Sequence, residues 1–193
     1  MLKSELRKLY LEKRKAFSKE EVLLFSEQIK NHFFERFLLQ KGDCVHIFLS
    51  IDKFKEVDTS AIIQELWLRE VRVFVPKMIG DNLITLEILP NTVFETNSWG
   101  IREPLGNEDS SSVNLKYCIT PLLYCDPNGQ RVGYGKGFYD RLFASLSSKP
   151  IKIGVGFFKP EQEVSDASDW DVPMDYLITP TDVVSFTADL PFL

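Results

Sequence analysis

Histidine and cysteine are scarce in this chain of 193 residues, which has two of the first and three of the second. Cys44, Cys118 and Cys125 form no Cys-x-x-Cys pair and no cluster with histidine, which argues against a zinc site or a disulfide framework. We expect reduced, structural thiols. His32 falls in a predicted helix and His46 in a predicted strand, which favours structural roles. The sequence therefore offers no Ser-His-Asp or Cys-His arrangement for nucleophilic catalysis.

Long apolar runs are also missing, and no stretch approaches the length that spans a bilayer. The first residues alternate charge with leucine and lack the apolar centre of a signal peptide, so we expect a cytoplasmic protein without a membrane partner. The net charge of −5 argues against a general nucleic-acid binder. No repeat or linker divides the chain, and its length suits one α/β domain over residues 1–193.

Hydrophobic periodicity and turn residues predict helices that alternate with short apolar strands. This alternation predicts a three-layer α/β/α fold of Rossmann-like type, with a mostly parallel central sheet covered on both faces. Pro76 is expected to end the second strand, and the polar segment 90–114 is expected to be a long loop, either a lid or a solvated connection. We predict helices over 2–16, 18–39, 59–70 and 139–146, and strands over 44–49, 71–75, 83–89, 117–124, 151–157 and 176–179.

The most informative segment is residues 129–141, which read Gly-Gln-Arg-Val-Gly-Tyr-Gly-Lys-Gly-Phe-Tyr-Asp-Arg. Glycine lets backbone amides approach an anion closely, and the interleaved arginine and lysine side chains add positive charge. A helix predicted to begin near Phe138 would direct its N-terminus at the same place. The segment predicts a phosphate-binding loop, although a plain turn remains the alternative. It is neither a Walker A loop nor a Rossmann fingerprint, because both need other glycine spacings.

Charged residues near this loop suggest further contacts. Asp140 would lie beside bound phosphates, where a carboxylate suits Mg²⁺, although it could simply favour the helix N-terminus. On the first helix Lys3, Arg7 and Arg14 fall within about 40° of one another, with Tyr10 on the same stripe. Such a stripe is a candidate anion contact, and a solvated helix face is the alternative.

Five segments, in order along the chain, resemble the 5-formyltetrahydrofolate cyclo-ligase family, whose members are also called methenyltetrahydrofolate synthetases. The strongest is the glycine-rich run, which follows the family pattern from Asp126 to Arg141. Val132 and Phe138 depart conservatively from that pattern, and Phe138 lacks the hydroxyl of the family's tyrosine. The other segments are residues 3–7, residues 48–50 followed by 56–59, residues 99–104 and residues 171–175.

The resemblance implies an enzyme that uses ATP and Mg²⁺ to close 5-formyltetrahydrofolate to 5,10-methenyltetrahydrofolate. In the family ATP phosphorylates the formyl oxygen to give an N5-iminium phosphate, N10 attacks the formyl carbon, and phosphate leaves. Such an enzyme needs no covalent nucleophile, because it positions two ligands and neutralises charge on the phosphoryl group. We expect these small molecules as its partners, no nucleic acid, and a monomer.

The resemblance also implies site residues. Lys136 and Arg131 are the expected catalytic cations, and Asp140 and Asp171 the expected Mg²⁺ contacts, although Asp171 could be a turn residue before a proline. Glu56 is the expected pterin-side carboxylate, despite about two additional residues between it and 48–50. The expected ATP contacts are Lys3, Arg7, Arg131, Val132, Gly133, Tyr134, Gly135, Lys136, Gly137, Phe138 and Tyr139. The expected folate contacts are Leu49, Glu56, Tyr134, Gly135, Lys136, Gly137 and Phe138, and Trp99 and Glu103 are expected to close the folate side.

Two other functions remain open at this point. A nucleotide-binding regulatory or salvage protein could keep the phosphate-binding loop without cyclising anything. A sugar-phosphate isomerase or an acyl-transfer enzyme could use a related α/β sheet, because a fold does not determine a function.

Overall fold

Apolar segments between the helices form the strands of a central sheet in the computed structural model, which describes residues 1–97 and 100–187. Seven strands make the main sheet, and four short ones make two small antiparallel ribbons. In chain order the strands are β1 Cys44–Ile47, β2 Arg72–Ile79, β3 Asn82–Ile88, β4 Phe94–Thr96, β5 Arg102–Pro104, β6 Tyr117–Pro121, β7 Tyr124–Cys125, β8 Arg131–Val132, β9 Ile151–Val155, β10 Tyr176–Ile178 and β11 Val183–Ser185.

The main sheet has the strand order β11-β10-β9-β6-β1-β2-β3. The five inner strands pair in parallel, and the two edge strands, β3 and β11, pair antiparallel. In the described part of the chain, four α-helices flank it: α1 Lys3–Lys15, α2 Lys19–Arg36, α3 Ser60–Leu68 and α4 Phe138–Ser145. The predicted α/β fold with a mostly parallel central sheet is confirmed. None of the described helices is both long and apolar enough to cross a membrane.

The period-2 alternation of each strand divides the core between the two faces of the sheet. Val45 and Ile47 of β1 belong to the large apolar cluster under α2 and α3, which includes Ile29 and Leu66. His46 points to the opposite face, where its ring meets that of Tyr139 in α4. The helix starts also follow the sequence, since Ser18 and Glu21 form the predicted capping box at α2.

The prediction that Pro76 ends a strand was wrong, because β2 continues to Ile79. The register of β1 on β2 stops at Phe74, so Pro76 lies beyond that neighbour and pairs only with Thr85 of the edge strand β3. A proline is tolerated there, because no second strand needs its missing N–H. The predicted loop 90–114 also contains the β4–β5 ribbon, and β11 was not predicted at all. These strands are three residues long, too short to show a period.

The positive backbone φ angles of two glycines lead to a prediction about the free energy of unfolding. Gly42 and Gly129 have φ of +84° and +80°, so alanine should cost each about 1–2 kcal/mol of unfolding free energy. A Cβ at Gly42 meets nothing within 4 Å, whereas one at Gly129 would lie 2.8 Å from the carbonyl oxygen of Met174. We expect Gly129→Ala to destabilise the fold by at least about 1 kcal/mol more than Gly42→Ala. Urea unfolding measures both, and equal losses would contradict the close approach of Met174 to Gly129.

Candidate active site

A buried carboxylate shapes the glycine-rich loop from below. Asp126 follows β7 and is fully buried. Its Oδ1 accepts hydrogen bonds from the amides of Asn128 and Gln130, both at 2.8 Å, and its Oδ2 accepts one from the amide of Val164 at 3.0 Å. Charge-assisted bonds of this kind are stronger than neutral ones. Asp126 therefore fixes the start of the glycine-rich loop and ties it to the chain at Val164.

The middle of the loop lies against α1. The Nε of Arg7 donates a hydrogen bond to the carbonyl oxygen of Gly133 at 2.8 Å. A Cβ on Gly135, whose φ is +87°, would lie 3.0 Å from the guanidinium carbon of Arg7. Glycine at this position thus permits the close approach of the helix, and a cation lies along the loop as the sequence predicted.

Two ion pairs join cations that were predicted to bind phosphate to carboxylates that were predicted to bind Mg²⁺. Arg131 Nη2 lies 2.9 Å from Oδ1 of Asp140, and Lys3 pairs with Asp171. The amide of Val172 also donates to Asp140 at 3.2 Å, which draws the segment that carries Asp171 towards α4. Partial burial opposes ionisation of Asp171, but hydrogen bonds from Lys3 and from the Ser168 amide outweigh it and hold the pKa below its usual value.

The remaining loop residues divide between core and surface. Val132 is buried in the cluster around Leu6 and Tyr10, so only its backbone is available to a ligand. Tyr139 is buried in α4, and its hydroxyl has no hydrogen-bond partner in the described part of the chain. Lys136 is exposed, and its amine forms no ion pair with any residue that the structure describes. Its amine is therefore free to meet a ligand above the loop.

The folate-side carboxylate predicted from the sequence is buried. Glu56 is 6% exposed; its Oε2 accepts from the amide of Ile51 at 2.9 Å and its Oε1 from the hydroxyl of Tyr134 at 2.9 Å. The segment before it contains a 3₁₀ turn, Asp52–Phe54. Burial raises the pKa of Glu56. The Ile51 amide, the nearby Arg14 guanidinium and the Tyr134 hydroxyl each oppose this rise.

The segment around Glu56 is also fastened to α1. Lys55 adopts a left-handed conformation at φ +49°, and its Nζ donates to the carbonyl oxygens of Lys15, at 2.6 Å, and of Phe17. A lysine that satisfies the free carbonyls at a helix C-terminus also matches the negative end of the helix dipole. Leu49 lies half-buried against the main core at the start of this segment.

One residue of the site was not assigned from the sequence. Arg14 is 3% exposed, and its Nη2 donates to the hydroxyl oxygen of Tyr134. Its place on the basic stripe of α1 was the available signal. Tyr10 of the same stripe belongs to the core, since its ring stacks on Tyr124 with centroids 4.1 Å apart. Burial is the main reason why the pKa of Tyr10 rises to about 12.

The three cysteines and His46 lie in the interior of the protein, as their predicted structural roles require. All three cysteines are buried and free. His46 is fully buried with its Nδ1 3.4 Å from the sulfur of Cys118, and burial lowers its pKa to about 3, so it is neutral.

Glu103 accepts a hydrogen bond from the amide of Met78 at 2.9 Å, which ties β5 to β2. Trp99, the other residue expected to close the folate side, lies outside the described residues.

The residues present fit a magnesium ion in their chemistry. Asp140 and Asp171 supply hard oxygen ligands, and Mg²⁺ prefers one or two carboxylates together with water and phosphate oxygens. Within residues 1–97 and 100–187, no three side chains of His, Cys, Asp or Glu converge on a metal-sized site. A site that depended on protein ligands alone is therefore not formed in this part of the chain.

The hydrogen bonds of Asp126 predict a large effect of a small change. In Asp126→Asn an amide NH₂ would face one set of backbone N–H donors, so we expect a loss of about 2–4 kcal/mol in the free energy of unfolding. Asp109→Asn is the matched control, because Asp109 also accepts two backbone amides but is exposed. Equal losses for the two variants in urea unfolding would show that burial of Asp126 is not what matters.

Comparison with known proteins identifies the family. Residues 1–180 match the model of the 5-formyltetrahydrofolate cyclo-ligase family. The chain is 34% identical over 145 residues to the 5-formyltetrahydrofolate cyclo-ligase of Escherichia coli K12, which spans 72% of this chain and 79% of the relative. It is 32% identical over 143 residues to that of Haemophilus influenzae, spanning 71% and 76%.

Solved structures show the same fold. The 5,10-methenyltetrahydrofolate synthetase of Aquifex aeolicus superposes with a TM-score of 0.80 at 32% identity, covering 100% of this chain and 96% of that one. The synthetase of Mycoplasma pneumoniae superposes with a TM-score of 0.70 over 93% of this chain and 99% of that one. At 23% identity, the second likeness concerns the fold alone.

Proposed function

Since this chain belongs to the 5-formyltetrahydrofolate cyclo-ligase family, we propose that it uses ATP to convert 5-formyltetrahydrofolate to 5,10-methenyltetrahydrofolate, with release of ADP and phosphate. The observation that carries the proposal is the double role of the glycine-rich loop. Arg131 and Asp140, near its two ends, form an ion pair with each other. The hydroxyl of Tyr134, at its centre, donates a hydrogen bond to the buried Glu56. In this proposal one loop borders both the phosphate site and the pterin site.

The proposed chemistry runs through a phosphorylated intermediate. The formyl oxygen attacks the terminal phosphorus of ATP, the bond to ADP breaks, and an N5-iminium phosphate forms. N10 then attacks the former formyl carbon and gives up its proton to solvent, the C–O bond breaks, and the oxygen leaves with the phosphate. The protein's task is to hold the two substrates in line and to stabilise charge on the phosphoryl group, and it needs no covalent nucleophile.

Basic residues on two elements serve the nucleotide in this proposal. Lys3 and Arg7 approach from α1, and the backbone of residues 133–137 with Lys136 forms the loop above α4. Arg131 and Lys136 would contact the transferred phosphoryl group, where positive charge stabilises the transition state. Asp140 and Asp171 would hold Mg²⁺, which when bound neutralises phosphate charge. Binding would exchange the internal ion pairs of Lys3 and Arg131 for contacts with phosphate.

The folate side of the proposal rests on Glu56. A buried carboxylate recognises a pterin because the amino group and a ring N–H of the pterin donate in parallel to its two oxygens. The ring of Tyr134, which packs 5.4 Å from that of Phe54, would supply apolar surface to the folate, together with Leu49 and Phe138. We further propose that residues 1–193 form one domain and that the protein acts as a cytoplasmic monomer.

A spectrophotometric assay tests the reaction itself. The protein is mixed with 5-formyltetrahydrofolate, ATP and Mg²⁺, and the near-ultraviolet band of the methenyl product is followed. We expect the band to grow only in the full mixture and not without ATP or without metal. Folded protein that binds ATP and gives no band would reject the cyclo-ligase function in favour of a nucleotide-binding relative.

The two sides of the site should separate by mutation. Glu56→Gln should weaken equilibrium binding of 5-formyltetrahydrofolate by about 10–100-fold and leave ATP binding unchanged, because a charge-assisted pair of hydrogen bonds is lost. Glu87→Gln is the control, since Glu87 is ion-paired with Arg72 at the edge of the main sheet. Isothermal titration with each ligand gives the result. Equal weakening of ATP and folate binding would contradict the assignment of Glu56 to the pterin.

The nucleotide side has a matching test. Lys3→Met and Arg7→Met should each weaken MgATP binding by about 10-fold or more, because each removes a charge-assisted contact with phosphate. Lys8→Met serves as control, since Lys8 is an exposed cation of the same helix. If neither variant differs from Lys8→Met in titrations with MgATP, the basic stripe of α1 has a structural role and does not bind the nucleotide.

A further inference from the structure

Arg14 is a buried cation without a direct counter-ion. It lies in the last turn of α1 and is 3% exposed. Among the residues that the structure describes, no carboxylate comes within ion-pair distance of its guanidinium, and its Nε has no hydrogen-bond partner. A buried charge is costly unless something compensates it, and in many proteins apolar residues would serve stability better. The position of Arg14 therefore calls for a reason beyond packing.

A directed chain of hydrogen bonds leads from Arg14 to the folate side. Arginine can only donate, and its Nη2 donates to the hydroxyl oxygen of Tyr134. That hydroxyl in turn donates to Oε1 of Glu56 at 2.9 Å, while the Ile51 amide donates to Oε2 at 2.9 Å. The guanidinium carbon also lies 5.6 Å from the centre of the Tyr134 ring. The positive charge thus acts on Glu56 both through space and through the phenol.

We propose that Arg14 is a positioning residue for folate recognition, which through the Tyr134 hydroxyl directs the carboxylate oxygens of Glu56 towards the pterin. This inference rests on the proposed function, because it concerns how the same folate site works. Each oxygen of Glu56 receives one protein donor and retains a lone pair for the amino group and ring N–H of the pterin. Without Arg14 the phenol would be free to turn, and the carboxylate would lose its nearby positive charge.

The exposure of the middle residue in this series of hydrogen bonds favours a role in binding over a role in stability. Glu56 and Arg14 are buried, but Tyr134 between them is 40% exposed and lies in a loop between two glycines. A link that only held the core together would not run through the exposed residue of a glycine-flanked loop. A link that a ligand meets would do so, because a pterin bound to Glu56 would lie beside the exposed ring of Tyr134.

The charges that face Glu56 set the expected pH dependence. Arg14 approaches from α1, Tyr134 from the glycine-rich loop, the Ile51 amide from the preceding turn, and Tyr139 from α4. Arg14 favours the ionised form, so its removal should raise the pKa of Glu56 beyond the rise that burial already causes. Folate binding that requires the carboxylate would then fall as the pH falls and recover as the pH rises.

The test compares Arg14→Met, Arg14→Lys and Tyr134→Phe with Lys8→Met. Equilibrium titrations measure the affinities for 5-formyltetrahydrofolate and for MgATP between about pH 6 and pH 9. We expect Arg14→Met and Tyr134→Phe to weaken folate binding by about 10-fold near neutral pH with MgATP binding unchanged. The loss in Arg14→Met should grow towards low pH, and Arg14→Lys should restore part of the affinity because it keeps a cation.

Other outcomes overturn the inference. Loss of folate and MgATP affinity together, a loss that does not change with pH, or folate binding equal to that of Lys8→Met would each show that Arg14 is only structural. If Arg14→Met fails to fold, Arg14→Lys and Tyr134→Phe decide, since both keep the buried volume. Wild-type protein that does not bind 5-formyltetrahydrofolate at all would refute the proposed function instead, before any variant is compared.

Discussion

The contact of α1 with the glycine-rich loop is the interaction on which the site depends. Arg7 reaches the carbonyl oxygen of Gly133 and lies over Gly135, where a Cβ would lie only 3.0 Å from its guanidinium carbon and would force it to shift. This contact holds the loop against a helix that comes from the start of the chain. Because most of the predicted ligand contacts belong to this helix or to this loop, separating them would dismantle both halves of the site.

Both ends of α1 are fastened to parts of the chain that also carry site residues. At its start the amide of Lys3 donates to Asp166 at 2.7 Å, and the Lys3 side chain pairs with Asp171. At its end Lys55, the neighbour of Glu56, satisfies the free carbonyls. The helix therefore links the predicted metal carboxylates to the predicted pterin carboxylate.

The sequence predicted the elements that were marked by a helical period, a capping signal or a continuous apolar run. Ser18 and Glu21 marked the start of α2, and the apolar run at Cys44 predicted a central strand. Pro76 misled, because the cost of a proline depends on whether a second strand neighbours it, and that is a tertiary fact. The three-residue strands β4, β5 and β11 gave no signal, since their pairing depends on which segments the fold brings together.

The site was partly predictable for a similar reason. Glycine spacing and alternate cations indicated the loop, and Arg7 was found beside it. The burial of Arg14 was not predictable, because a helical wheel places it beside Lys3 and Arg7 but does not say that a distant tyrosine will cover it. The pairing of Arg131 with Asp140 and of Lys3 with Asp171 likewise depends on where β8, α4 and the C-terminal segment meet.

The fate of one oxygen atom tests the central claim most directly. 5-Formyltetrahydrofolate that carries a heavy-oxygen label in its formyl group is converted in the presence of ATP and Mg²⁺, and the released phosphate is analysed by mass spectrometry. If the formyl oxygen attacks the terminal phosphorus, we predict that the label appears in the phosphate as methenyl product forms. Unlabelled phosphate, or label found only in water while the product forms, would contradict the phosphorylated intermediate and with it the reason for so many cations around the loop.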